Sequence, residues 1–231
     1  MSRGLGVVGQ IQELIPDWAA ILVALVTQLG DAWFFVVLVG GLYWVYADER
    51  EDATVVAGLA LAGYGLITTL KHVFALPRPE QPLVALESLP ALLQPLYEVT
   101  AMASSYGFPS GHALMTTVVY GSLARRLSIG TPRRRLLAAV TVVTAVCLSR
   151  VALGVHYLVD VVAGVGVGLA FLFVVERLLA RYPTRQRPIA FSLAVVLSVV
   201  ALVTSNADPD AVLLLAGSVG VFGGWHFARA T

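Results

Sequence analysis

Lys71 and Arg78 are seven residues apart, two helical turns, so their cations face the same way until Pro77 and Pro79 break the helix. Pro109-Ser110-Gly111-His112 stands directly before an apolar run. Those are helix-start residues, and the backbone N–H groups they leave unpaired make a ready anion site. The third cluster is Ser149-Arg150, then His156, then Asp160. His156 and Asp160 are at i and i+4, hence neighbours on one helical face. A carboxylate there can hold the imidazole in one tautomer and free the other nitrogen to attack or to take a proton. Three cations, a helix N-terminus and two histidines brought to one face describe a phosphoryl-transfer site, where positioned positive charge carries the catalysis.

The elements that must position these clusters follow from the solvent the chain prefers. Of 231 residues 58% are hydrophobic and only 13% charged, with a mean hydropathy of +0.83. Soluble domains run near a quarter charged, so this chain falls in the membrane class. Apolar runs bounded by charges or turn residues predict spans over about 32–47, 53–76, 112–129, 136–153, 157–180, 188–205 and 210–228. Between Trp18 and Leu29 the apolar run is too short to span, and it reads as a helix lying in the interface. The expectation is a single all-α membrane domain over 1–231, a polytopic bundle of about six to seven transmembrane helices with an N-terminal interfacial helix. That length leaves no room for a separate soluble catalytic domain.

Arginine placement orients the bundle. Arg125, Arg126, Arg133, Arg134 and Arg135 surround one connection, and Arg177, Arg181, Arg185 and Arg187 another. By the positive-inside rule both are cytoplasmic, which turns loop 77–110 and all three clusters to the opposite side. Charges inside apolar spans are costly and call for a function. Net charge is +1, which predicts no nucleic-acid partner. Cys147 is the sole cysteine, so it offers neither an intrachain disulfide nor a cysteine metal site. Glu80 and Glu98 in the outward loop read as solvated. Gly164 and Gly168 form a small-xxx-small pair whose meaning is close helix packing.

K-x6-R-P, P-S-G-H and S-R-x5-H-x3-D, in this order, are the signature motifs of the PAP2 superfamily, and all their defining positions match. The chain resembles that family over about residues 10–180. The stretch Thr27-Gln-Leu-Gly-Asp31 also looks family-like, whereas the two C-terminal helices, 188–228, fall outside the core. The resemblance implies a membrane-embedded phosphatase acting on a lipid phosphomonoester or diphosphate: phosphatidate, a phosphatidylglycerophosphate-like lipid or a polyprenyl diphosphate. It implies that His156 attacks phosphorus to form a phosphohistidine, that Asp160 orients it, and that His112 protonates the leaving oxygen and then activates water. Lys71, Arg78, Ser110, the Gly111 N–H and Arg150 would hold the phosphoryl oxygens. No metal or cofactor is expected, because the cations supply the charge. The expected setting is the cell membrane, with the site at the non-cytoplasmic face.

Two other classes compete. A non-enzymatic lipid or ion transporter or binding protein would also carry intramembrane charges, but here they gather at one face instead of the midplane. A catalytically dead relative would lack one of the motif histidines or arginines, and none is missing.

Overall fold

The computed structural model describes residues 5–79, 82–101 and 105–227. Among the described residues it is helical throughout, without strands. Helices α1 (Leu5–Glu13), α2 (Ala20–Thr27) and α3 (Ala32–Val45) lead into the long α4 (Arg50–Phe74). A short α5 (Gln94–Ala101) precedes α6 (Gly111–Arg126), α7 (Pro132–Ala152), α8 (Leu158–Arg181), α9 (Gln186–Thr204) and α10 (Pro209–Phe227).

Local chemistry explains several of these ends. Thr131 caps α7 with its hydroxyl on the Arg134 N–H, and Pro132 follows at the first helical position, where its missing N–H costs nothing. In α4 the last turn closes when Ala75 adopts a left-handed conformation, φ 47°, and returns its N–H to the Lys71 carbonyl.

Among the described residues four stretches are long and apolar enough to cross a membrane: 47–74, 132–152, 158–181 and 183–204. A fifth candidate is the pair 17–30 and 32–45, bent by 55° at Asp31. The expected six to seven spans are therefore only loosely matched. At 16 residues, α6 reaches about 24 Å, short of a hydrocarbon core of about 30 Å. The stretch before Asp31 also differs from a helix lying free in the interface. Its α2 packs against α7 and α5 and buries Ala20, Ala24 and Thr27.

The core is built around α4, which packs against α9, α6 and α3. Phe35, Val56, Leu59, Leu114, Val118, Leu172 and Ala190 meet in its principal apolar cluster. On its other side α6 is flanked by α7 and α8. The α6–α8 contact depends on the glycine pair picked out by spacing. A Cβ on Gly164 would stand 2.5 Å from the Ser110 carbonyl oxygen, and one on Gly168 would stand 2.9 Å from Thr117 Cβ. Side chains at those positions would drive α8 off the start of α6, at a cost of about 1–3 kcal/mol or more.

A polar clasp closes the arginine-rich end. Arg126, almost buried, donates to both carboxylate oxygens of Glu176 at 3.1 and 2.9 Å, to Asp52 at 3.3 Å and to Gln186 at 3.0 Å. It thus ties α6 to α8, α4 and α9. Glu98 is exposed on the short α5 at the other end, and Glu80 lies outside the described residues.

Candidate active site

The ends of α4, α6 and α7 opposite that clasp carry the three motif clusters. Lys71 occupies the last turn of α4. Because α4 stops at Phe74, Arg78 shares no helical face with Lys71; the loop carries it back instead. The Nζ of Lys71 donates to the Ser105 hydroxyl at 3.0 Å, and Arg78 Nη2 donates to the same oxygen at 3.1 Å. Nε of Arg78 also donates to the Ser105 carbonyl at 2.6 Å. Both cations thus converge on one oxygen.

Ser110 is fully buried at the start of α6, where its hydroxyl accepts from the Ala113 N–H at 3.4 Å. Its own N–H donates to the Asp160 carbonyl at 2.9 Å, which joins the start of α6 to the start of α8. A Cβ on Gly111 would lie 3.8 Å from Lys71 Nζ, so the lysine ammonium stands against the positive end of α6. Lysine and helix terminus repel one another unless an anion lies between them.

Arg150, in the last turn of α7, is almost fully buried. Its Nη1 donates to Thr27 Oγ1 at 2.9 Å and to the Thr100 carbonyl at 3.2 Å. Its Nε is buried with no acceptor among the described residues. Buried polar groups in folded proteins are nearly always paired, so this nitrogen marks a place where an acceptor is wanted.

His156 sits in the turn between α7 and α8, where Gly154 takes φ 70° and lets the chain reverse. Its Nε2 lies 3.0 Å from Arg78 Nη1. A guanidinium can only donate, so Nε2 accepts and the ring proton is on Nδ1. Burial first, then the charges of Arg78, Arg150 and Lys71, hold this imidazole well below the usual histidine range, so it is neutral at pH 7. Burial also draws the Arg78 guanidinium down to about 10, with the Asp160 carboxylate opposing.

Asp160 is fully buried and stands 3.7 Å from His156 Nδ1 through Oδ2, on the expected side of the ring. The same oxygen accepts the Tyr157 N–H at 2.9 Å, so the carboxylate caps α8 as well. His112, in the first turn of α6, points Nε2 at Asp31 Oδ1, 2.8 Å away. His72, next to Lys71, turns off this face and packs its ring edge-on to Tyr106.

All eight expected site residues therefore lie at one end of the bundle, and Arg78 meets His156 directly. Asp31, Thr27 and Ser105 are contacts that motif spacing does not reveal. The first two fall in the stretch Thr27–Asp31; nothing in the sequence marks Ser105. Among the described residues no group of three or more His, Cys, Asp or Glu side chains is placed to hold a metal ion.

An all-helical bundle with a cationic, two-histidine site at one end defines a class of membrane proteins, and comparison with known proteins places the chain in it. The chain belongs to the PAP2 superfamily, whose family model matches residues 53–184. It is 35% identical over 79 residues to phosphatidylglycerophosphatase B of Bacillus subtilis (strain 168), which is 32% of this chain and 39% of that protein. It is 26% identical over 136 residues to decaprenylphosphoryl-5-phosphoribose phosphatase of Mycobacterium tuberculosis (strain ATCC 25618 / H37Rv), which is 59% of this chain and 65% of that protein. The chain thus spans less than two thirds of either relative. The crystal structure of the first transmembrane PAP2-type phosphatidylglycerolphosphate phosphatase, from Bacillus subtilis, shares the fold at a TM-score of 0.60 and 23% identity, over 77% of this chain and 84% of that one. With its apolar helices, this makes the chain a membrane protein.

Proposed function

We propose that the protein is a metal-independent lipid phosphatase of the cell membrane, forming a single membrane domain with its site open to the non-cytoplasmic face. The observation that carries this reading is the shared oxygen of Ser105. A hydroxyl held by Lys71 and Arg78, with Arg78 also on His156 Nε2, stands where a phosphoryl oxygen would be gripped beside a nucleophile. The unpartnered Nε of Arg150 and the N-terminus of α6 at Gly111 add donors at the same end of the bundle.

In this reading His156 Nε2 attacks phosphorus, the bond to the leaving oxygen breaks, and that oxygen takes a proton from His112. Water then attacks the phosphohistidine, giving its proton to His112 as the P–N bond breaks. Asp160 supports the Nδ1–H of His156 as positive charge develops on the ring. Catalytic hydrogen bonds are often long before substrate binds, and the separation of 3.7 Å from Asp160 fits a contact that tightens on phosphorylation.

The surroundings support a lipid substrate. A crevice of about 770 Å³ lies between α3, α4 and α10. Its α4 wall includes Ala57, Leu61, Tyr64 and Thr68, and Tyr64 is two helical turns below Lys71 on the same face. On α3 the wall begins at Ala32, next to Asp31. An apolar tail seated there would deliver its phosphate to the site. Phosphatidylglycerophosphate-like lipids and polyprenyl phosphates or diphosphates are accordingly the substrates to try first, with phosphatidate beside them.

The deciding experiment is phosphate release from a panel of these lipids by detergent-purified protein in EDTA. We expect release that disappears in His156→Ala. Release by that variant, or activity lost to EDTA and restored by Mg²⁺, would overturn the reading.

A further inference from the structure

The stretch Thr27–Asp31 precedes the segment 53–184 that matches the family model, yet four of its residues support the site. Thr27 Oγ1 accepts from Arg150 Nη1 at 2.9 Å. The Leu29 carbonyl accepts from the Tyr120 hydroxyl at 2.8 Å, which fastens the stretch to α6. Gly30 makes room for an imidazole, since a Cβ there would stand 2.8 Å from His112 Cδ2. Asp31 Oδ1 then meets His112 Nε2 at 2.8 Å.

Asp31 has an obvious structural alternative, and the structure does not use it. It is the residue before α3, in the extended conformation of a helix cap, with φ −84° and ψ 152°. An aspartate there ordinarily turns its carboxylate onto the first N–H groups of the helix. In this chain the side chain makes no such bond. It is turned across to a residue 81 positions away, in a partly exposed pocket where each side chain keeps about a quarter of its surface, 26% for Asp31 and 22% for His112. A surface ion pair of that kind contributes little stability, so packing gives no reason for forgoing the cap.

We infer that Asp31 is the positioning residue of His112: it receives the Nε2–H, holds the ring in place and leaves Nδ1 as the nitrogen that exchanges protons with substrate and water. The inference rests on the lipid-phosphatase reading above. In the first step the imidazolium Nδ1–H passes its proton to the leaving oxygen, which keeps the electron pair of the broken P–O bond, while His156 Nε2 bonds to phosphorus. In the second step the neutral Nδ1 takes a proton from water as the water oxygen bonds to phosphorus and the P–N pair returns to His156. Asp31 keeps this contact throughout and supports the charged ring against the cations of Lys71 and Arg150.

The test compares Asp31→Asn, His112→Ala and the double variant by single-turnover phosphoenzyme formation on an alkyl lipid phosphate and on a polyprenyl diphosphate. Asp31→Asn should slow the alkyl phosphate by about 10- to 100-fold, the scale for the outer partner of a functional histidine. It should slow the diphosphate much less, because that leaving group barely needs a proton. The double variant should be no slower than His112→Ala. Equal losses on both substrates, or a double variant slower by the product of the two, would reduce Asp31 to a structural role.

A second measurement stands apart from activity and from the function itself. In ¹⁵N-histidine-labelled protein in detergent, His112, identified by the signal missing in His112→Ala, should carry its neutral-form proton on Nε2, and Asp31→Asn should shift that balance toward Nδ1. A His112 protonated on Nδ1 in the unaltered protein overturns the inference even if lipid phosphate is hydrolysed. If no lipid phosphate is hydrolysed but the Nε2 tautomer depends on Asp31, the positioning contact stands and only the phosphatase reading falls.

Discussion

Arg78 Nη1 lies 3.0 Å from His156 Nε2, so a guanidinium occupies the lone pair of the ring nitrogen that would attack phosphorus. Arg78 Nη1 also donates to the Val155 carbonyl at 2.9 Å, which holds the guanidinium in place on the turn that carries His156. On the phosphatase reading, a phosphoryl group entering the site would come between guanidinium and imidazole. Its oxygens then replace Nε2 as the acceptor, and the lone pair is released toward phosphorus. Binding the anion and uncovering the nucleophile become one event.

On the phosphatase reading each of the three cations should be needed individually. Lys71→Ala, Arg78→Ala and Arg150→Ala should each lower turnover by about two to three orders of magnitude, the usual effect of losing one preorganised donor. Arg78→Lys should recover little, because an ammonium cannot reproduce a fork that reaches Ser105, Val155 and His156 together. Steady-state kinetics on detergent-purified variants of unchanged elution volume checks this; near-normal turnover in any one removes that residue from the site.

The two histidines should separate by leaving group. A lipid alkoxide is the conjugate base of a group resembling water, with a pKa of roughly 15. A departing phosphate has a second pKa of about 6. His156→Ala should be inactive on monoester and diphosphate alike, while His112→Ala keeps proportionally more phosphoenzyme formation on the diphosphate. Equal losses for His112→Ala on the two substrates would remove its role as acid.

Burial of a neutral His156 has a consequence for stability. Its folded-state pKa is depressed well below 6.5, so below that pH the unfolded chain takes up a proton that the folded protein does not. The stabilisation is fully present above about 6.5 and is lost as pH falls toward the folded-state value. Melting of the protein should therefore drop relative to His156→Asn, which does not titrate, between pH 7.5 and pH 5. A constant difference across that range would show that the folded-state pKa of His156 is not depressed.

Tail recognition should map to the crevice beside α4. Leu61→Trp on α4 and Leu214→Trp on α10 both fill its lining. Each should raise KM for a long-chain lipid phosphate about tenfold, the scale of a one-group misfit in an apolar pocket, and leave a short-chain soluble phosphate unaffected. Equal changes for both substrates would place the tail elsewhere.

Sidedness can be read with thiols in a Cys147→Ala background. A cysteine at Glu87, exposed in the loop above the site, should react with an impermeant reagent in intact cells. One at Arg133, exposed at the opposite end, should react only after lysis. The reverse pattern inverts the topology.

Much of this molecule was legible in one dimension because its strongest constraints are local. Apolar runs announce helices that must satisfy their own backbone in lipid, and α4, α7, α8, α9 and α10 begin and end within a few residues of the expected positions. The motifs were equally plain, since each is a short run whose spacing sets the geometry of one helix end. The glycine pair on α8 predicted a close approach, although only the fold shows that its partner is the start of α6.

What spacing could not supply was every relationship between elements. Lys71 and Arg78 come together through a loop that returns to Ser105, not through a shared helical face. Asp31 reaches His112 across 81 residues of chain because α2 and α3 meet at a 55° bend that leaves the carboxylate free to turn inward. The C-terminal α10, a predicted span outside the family-like core, contributes Asp210, Leu214 and Val221 to the crevice. Helix formation and helix ends follow from neighbours a few residues apart. Which helix faces which follows from burying all those surfaces at once, and only the tertiary structure decides that.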